Sequence, residues 1–443
     1  MRFHLIDRVD ASAGGGGAKR VVITGIGLLT ALGAGQRQTW RGLLEGRTGV
    51  GPVRDYDPAS FRLPLAAEIE DFDPTAYAPR RALRTTTRND QLAIAGAALA
   101  VRDSGLDFAA YDPERAAAFV GGAKETSHLL TGSLVARGPD GRAGLALLGE
   151  RAFAVSRPLS SVAGRRSTVL PHLSAAYGLK GPNTCFHGTA DASAAAIGRA
   201  YRSVRSGAAQ VALAGGCDDA APWWAASTMD GLGGLSTRDD LGRRAFRPYD
   251  ADRSGSVLGE AAAFLVLEEY EAACRRDAHL YAEIRGFGST LDSARLLAPA
   301  EDGAALTTAV RRALEEARTV PEDVDYVATH GCATRLGDLS EARALRAVFG
   351  GSGPRPVASS VKPATGHLGA AAGALGAAVA ALAIDYGAVP PTLNLDRPDP
   401  DCQALDWVPH QARDLPVRHA VAVARGLEGQ QVALALAAVE PTW

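Results

Sequence analysis

The chain has 443 residues and a formal net charge of −2, with 22% charged and 6% aromatic residues. This balance presents no polycationic face, so nucleic acid is not an expected partner, and the length admits two or three ordinary domains or one large α/β body. The five cysteines, Cys185, Cys217, Cys274, Cys332 and Cys402, form no CxxC pair and no metal spacing, so neither a disulfide framework nor a metal site is expected, and a reducing cytoplasm is the natural compartment.

Arg2, Asp7, Arg8 and Asp10 interrupt the first residues, so no secretory leader is expected there, and the glycine-rich run 11–18 marks residues 1–19 as a flexible tail. Apolar runs rich in Val, Ile and Ala then predict strands at residues 20–24, 116–121, 183–188, 210–215 and 263–267, with helices at 39–45, 90–103 and 191–206. A second set follows. Strands are expected at 281–286, 324–329, 357–360, 420–424 and 432–437, and helices at 304–317, 340–348 and 370–384. Two successive βαβ-rich halves, residues 20–269 and 270–443, suggest an internal duplication built on mostly parallel sheets covered by helices. Loops concentrate at 46–87 and 229–256. Residues 368–384 carry no charge and approach a membrane span in length, but their Ala and Gly content predicts a tightly packed buried helix instead.

Residues 181–198 read as a strand running into a helix, with the turn at Thr189-Ala190. Such an elbow holds one side chain at a helix N-terminus, where the dipole lowers a thiol pKa and suits a nucleophilic cysteine. Here the position holds Ala190. Two later motifs, Thr329-His330-Gly331 and Lys362-Pro-Ala-Thr-Gly-His367, read as an imidazole pair with a lysine. Most of an acyl-transfer site is kept, without the atom that would carry the acyl group.

From residue 20 to about 438 the chain resembles the β-ketoacyl synthases of fatty acid and polyketide biosynthesis, which have the thiolase fold. The resemblance rests on the opening Arg20-Val-Val-Ile-Thr-Gly-Ile-Gly27, the loop from Arg247 to Glu260, the motif His330 to Glu341, the motif Ser360 to His367, and Val389-Pro-Pro-Thr-Leu-Asn394. It implies a layered α-β-α-β-α body. It also implies that His330 and His367 act on a malonyl thioester and stabilise its enolate, with Lys362 and Glu341 fixing their electrostatics and orientation. The pantetheine arm would arrive on an acyl carrier protein and touch Cys332 and Thr334, and the chain itself would bind no cofactor.

Several residues depart from the family pattern. The ungapped register puts Ala190 on the nucleophile position. Cys185 lies five strand residues away, roughly 16 Å, and cannot fill the elbow. Cys332 stands where threonine is usual, either as a substitute nucleophile or as a small buried thiol. The family gate is a glycine-rich loop with phenylalanines that also supplies an oxyanion N–H; here Leu427 and Glu428 replace parts of it. Lys124-Glu125 falls where the family lines its acyl pocket, either as a charged wall or as a surface ion pair. Val423-Ala-Arg-Gly426 and Ala221-Pro-Trp-Trp224 are similar to the chain length factors, the silent partners of type II polyketide ketosynthases. His4, His128, His172, His187, His279, His410 and His419 fall in no motif. The resemblance therefore implies a chain-length-factor-like subunit, cytoplasmic, paired with an active ketosynthase near Phe186 and His187. A homodimer, a malonyl-carrier-protein decarboxylase and a non-catalytic scaffold are the alternatives.

Overall fold

Runs of small and branched apolar residues form most strands of the computed structural model, which describes residues 17–54, 57, 61–122, 169–292, 298–351 and 353–440; the polar strand Asn183–His187 is an exception. The first half supplies β1 (Val21–Thr30), β2 (Ala116–Gly122), β3 (Asn183–His187), β4 (Val211–Asp219) and β5 (Leu258–Glu269). The second supplies β6 (Ala282–Leu291), β7 (Tyr326–Ala328), β8 (Val357–Ser359), β9 (His419–Arg425) and β10 (Gln430–Ala437). The first five are hydrogen-bonded in the order β3-β2-β4-β5-β1 and the second five in the order β8-β7-β9-β10-β6. Numbered within its own half, each set has the same order and the same strand directions. The third, second and fourth strands run parallel, and the fifth is antiparallel to both the fourth and the first. The two sets meet through a short antiparallel pairing of β1 with β6, from Val21 opposite Ile284 to Ile23 opposite Ala282.

The sheets are therefore mixed rather than mostly parallel. The fifth strand of each half doubles back, in the second half through the tight turn between β9 and β10, where Gly426 donates to the Gln430 carbonyl. Unbroken apolar runs bury a strand on both faces but do not set its direction.

Helices complete five alternating layers. Helix α1 (Arg88–Ser104) covers the outer face of the first sheet. Its start is fixed by a reciprocal cap in which Thr87 and Asp90 bond each other's backbone. Helix α3 (Ala304–Ala317) covers the outer face of the second sheet, with α4 (Arg335–Phe349) beside it. Between the sheets lie α2 (Ala190–Arg205) and α5 (Ala372–Tyr386), each touching both sheets and the other. A helix enclosed on all sides can carry only small and apolar side chains. Helix α5 obeys this, with Leu375, Val379 and Leu382 each almost wholly buried, worth roughly 1.5–3 kcal/mol apiece. The stretch Gly369–Tyr386 has a mean hydropathy of 1.5, enough to suggest a membrane span, yet 78% of it is buried inside the protein. At the closest approach of the two helices, a Cβ on Gly373 would fall 2.2 Å from the Ala190 carbonyl oxygen, so only glycine fits.

Candidate functional site

The elbow forms where β3 ends at His187 and α2 begins at Ala190. Thr189 caps the helix with φ −108° and ψ −128°, and its side chain makes no capping bond to the helix. Its N–H donates instead to Asp191 Oδ1 at 3.0 Å, and its hydroxyl accepts the Leu427 N–H at 3.1 Å. Burial pushes the Asp191 carboxyl up to about 6. Ala190 is fully buried in the central core. Cys185 sits within β3, five residues before the elbow, and burial raises its thiol to about 11.

The first imidazole is positioned through its backbone. Glu341 of α4 accepts the N–H groups of His330 at 2.7 Å and Gly331 at 2.8 Å, and the Tyr249 hydroxyl at 2.8 Å. Asp338, one turn earlier, accepts from Ala333 N–H at 3.0 Å and Tyr249 N–H at 2.7 Å. The Lys362 ammonium donates to the His330 carbonyl. His367 is held by its own main chain, which donates to the Val257 carbonyl at 2.7 Å and accepts from Gly259 N–H at 3.1 Å. The two rings lie 5.5 Å apart between centroids at 79°.

Electrostatics keep both rings neutral. Burial lowers the His330 pKa well below its ordinary value, and Lys362, His367 and Arg425 add to the effect. Burial and Lys362 bring His367 down to about 3. Because Gly369 N–H donates to His367 Nδ1 at 3.3 Å, the ring proton resides on Nε2. Burial also lowers Lys362 to about 8, raises Asp338 to about 7 and raises Glu341. Both rings border a cavity of about 380 Å³ that also reaches Thr189, Cys332, Thr334 and Leu427. One wall is the helix Trp223–Gly231, through Trp224, Thr228 and Met229. Neutral N–H donors in such a lined space can stabilise a developing oxyanion without reorganising water.

The family model for the β-ketoacyl synthase N-terminal domain matches residues 18–273, and that for the C-terminal domain matches residues 281–396. The chain belongs to the β-ketoacyl synthase family. It is 33% identical over 421 residues to a 3-oxoacyl-[acyl-carrier-protein] synthase 2 of Synechocystis, covering 94% of this chain and 97% of that one. It is 36% identical over 426 residues to the tetracenomycin polyketide synthase ketoacyl synthase alpha subunit of Streptomyces glaucescens, covering 96% and 98%. Among solved structures, the ishigamide ketosynthase/chain length factor superposes with a TM-score of 0.85 at 30% identity, covering 96% of this chain and all of that one.

Within this ketosynthase framework the expected residues converge unevenly. His330, His367, Lys362 and Glu341 come together, and Ala190 lies at the helix start expected for it. Cys332 is buried, with Sγ 3.1 Å from Thr334 Oγ1 and 3.7 Å from Asp338 Oδ1. Burial and Asp338 raise its thiol pKa, so it is a poor thiolate near neutrality. Leu427 lines the cavity, whereas Glu428 is exposed in the turn between β9 and β10. Lys124, Glu125, His4 and His128 lie outside the described residues. His279 and His410 are partly exposed and face Asp385 and Asp396.

Four further residues belong to the site by geometry. Tyr249, fully buried at a φ of 61°, bonds both Glu341 and Asp338. Asp338 falls within the quoted histidine motif, but its backbone partners are not legible from spacing. Thr189 occupies the Leu427 amide. Arg425 reaches the cavity wall beside Cys332, and a cation ending an apolar strand was the available signal for it.

Proposed function

We propose that this chain is a chain-length-factor-like subunit of a type II polyketide synthase. It pairs with an active β-ketoacyl synthase and is served by an acyl carrier protein in the cytoplasm. The observation that carries this reading is Ala190, a methyl group at the head of α2 where acyl transfer needs a nucleophile. Neither nearby thiol replaces it, because burial raises the pKa of both Cys185 and Cys332. The similarity to a ketosynthase/chain length factor structure supports the pairing. So does β3, which among the described residues ends the sheet with a single neighbouring strand and exposes Asn183 and Thr184; such an edge invites pairing with another chain. The pantetheine arm of the carrier protein would enter the cavity past Cys332 and Thr334 as substrate, not as a resident cofactor.

The neutral imidazole pair favours a second reading. Two N–H donors beside a thioester could stabilise the enolate left when a malonyl group loses CO2, which would make the chain a malonyl-carrier-protein decarboxylase supplying a starter unit. Incubation with malonyl-loaded carrier protein separates the readings. CO2 release by the chain alone supports the decarboxylase. Silence alone, with elongation restored by a co-expressed ketosynthase that elutes with it as a heterodimer, supports the chain length factor. Silence in both, with no stable partner, leaves a scaffold.

A further inference from the structure

Arg425 ends β9, and its guanidinium is not needed by either reading above. Its Nη1 lies 3.5 Å from where a Cβ on Gly337 would stand, a point also 2.6 Å from Cys332 Sγ and 2.3 Å from Thr334 Oγ1. The cation thus shares the wall of the cavity that holds His330 and His367. Its Nε is buried with no hydrogen-bond partner, and among the described residues it forms no ion pair. Carboxylates near it hold other donors: Asp292, which shares a small pocket with Arg425, accepts the Ala300 N–H at 2.7 Å. Glu341 holds His330, Gly331 and Tyr249, while Asp338 holds Tyr249 and Ala333. Asp218 also lines the cavity, and it accepts the Ala370 N–H at 2.7 Å. The first turn of α4 borders the same space; its one carboxylate is Asp338, already bonded to Tyr249 and Ala333, and the helix end itself is positive.

A partly buried guanidinium without a counter-ion is costly unless a ligand supplies one, and its planar donors match a carboxylate. We propose that Arg425 is a specificity-determining residue that selects thioesters whose short acyl group ends in a carboxylate. This rests on the reading that a pantetheine thioester enters the cavity. The ion pair would anchor the far end of the acyl group while the imidazole N–H groups face its thioester carbonyl.

The test uses two non-hydrolysable pantetheine amides, one malonyl and one acetoacetyl, which are near-isosteric and differ in charge. Neither carries a phosphate, so the arm adds no anion. Their affinities for the full-length chain are measured by calorimetry in the wild type and in Arg425→Gln and Arg425→Lys, with melting temperatures recorded for each. The malonyl amide should bind about 10- to 100-fold more tightly than the acetoacetyl amide. Arg425→Gln should abolish that preference by weakening the malonyl amide alone, and Arg425→Lys should keep part of it. Equal binding of both amides by the wild type overturns the proposal and leaves the thioester reading standing, as does a preference that survives in Arg425→Gln. If neither amide binds, the thioester reading fails and the proposal falls with it. Should Arg425→Gln not fold, the wild-type preference and the Arg425→Lys result decide.

Discussion

Removing the Glu341 carboxylate should loosen the His330 loop more than any other single change at the site. In Glu341→Ala three buried donors lose their acceptor at once: the N–H groups of His330 and Gly331 and the Tyr249 hydroxyl. Each buried donor left unsatisfied costs about 1–3 kcal/mol. Relaxation and water entry make the three less than additive, so a total of roughly 4 kcal/mol is expected. An unfolding entropy of roughly 2.1 cal/mol/K per residue, applied to 443 residues, converts this to a fall in melting temperature of about 4 °C. Glu341→Gln keeps one acceptor oxygen and should lose less. Tyr249→Phe breaks one bond and should lose roughly 1 kcal/mol. Differential scanning calorimetry at fixed protein concentration checks the ranking. A Glu341→Ala protein that melts with the wild type would show that the loop is held by something other than this carboxylate.

Ala190→Cys should accept an acyl group from a thioester only slowly, because the Leu427 amide is already bonded to Thr189; Thr189→Ala combined with Ala190→Cys should acylate about 100-fold faster by intact mass. An acyl adduct on Cys332 or Cys185 in the wild type would refute the assignment of Ala190 as the lost position. If the decarboxylase reading holds, His330→Ala and His367→Ala should each lower CO2 release by about 100- to 1,000-fold, and the double variant by less than the product. The pH dependence has a worked sign. His367 has a folded pKa of about 3 against an ordinary 6.5, so its contribution is intact above 6.5 and is lost as pH falls, because the unfolded chain takes the proton first. The loss is roughly 2 kcal/mol by pH 5. Asp338, raised to about 7, acts in the opposite sense, so the check is the difference in melting temperature between wild type and His367→Asn across pH 5 to 8, which should shrink towards pH 5. Phe186 packs partly against the central core, so the exposed Thr184 is the better interface probe. Thr184→Lys should dissociate the proposed dimer in size-exclusion chromatography and leave the melting temperature of the subunit unchanged.

Much of this architecture was legible in the residues because long apolar segments flanked by polar turns admit few structures. Helix α3 begins and ends where its periodicity places it. Ala190 reaches the helix start because the strand-to-helix register carries no gap. Other features needed the folded chain. Helix α4 begins at Arg335, ahead of the expected residue 340, because Thr334 caps it by accepting the Gly337 N–H at 3.2 Å; Gly337 and Asp338 hid that turn from a propensity argument. Strand β5 starts at Leu258, earlier than its apolar run, because the sheet and the backbone of His367 pair with residues around Gly259. The bond between Thr189 and Leu427 joins residues 238 apart in sequence, and no local pattern announces such a contact.

The shared strand order of the two halves makes α2 and α5 equivalent elements, since each follows the third strand of its own half. The cavity therefore sits at a joint between two copies of one strand-and-helix motif. One copy brings the elbow, and the other brings both imidazoles. The two contributions are tied across the joint: Tyr249 of the first copy donates to Glu341 and Asp338 of the second, the His367 main chain pairs with Val257 and Gly259, and Leu427 donates to Thr189. The Ala190 methyl makes none of these bonds, so a different small side chain there would leave them in place. A joint of this kind lets the residue at the helix head vary while the opposite wall keeps its shape.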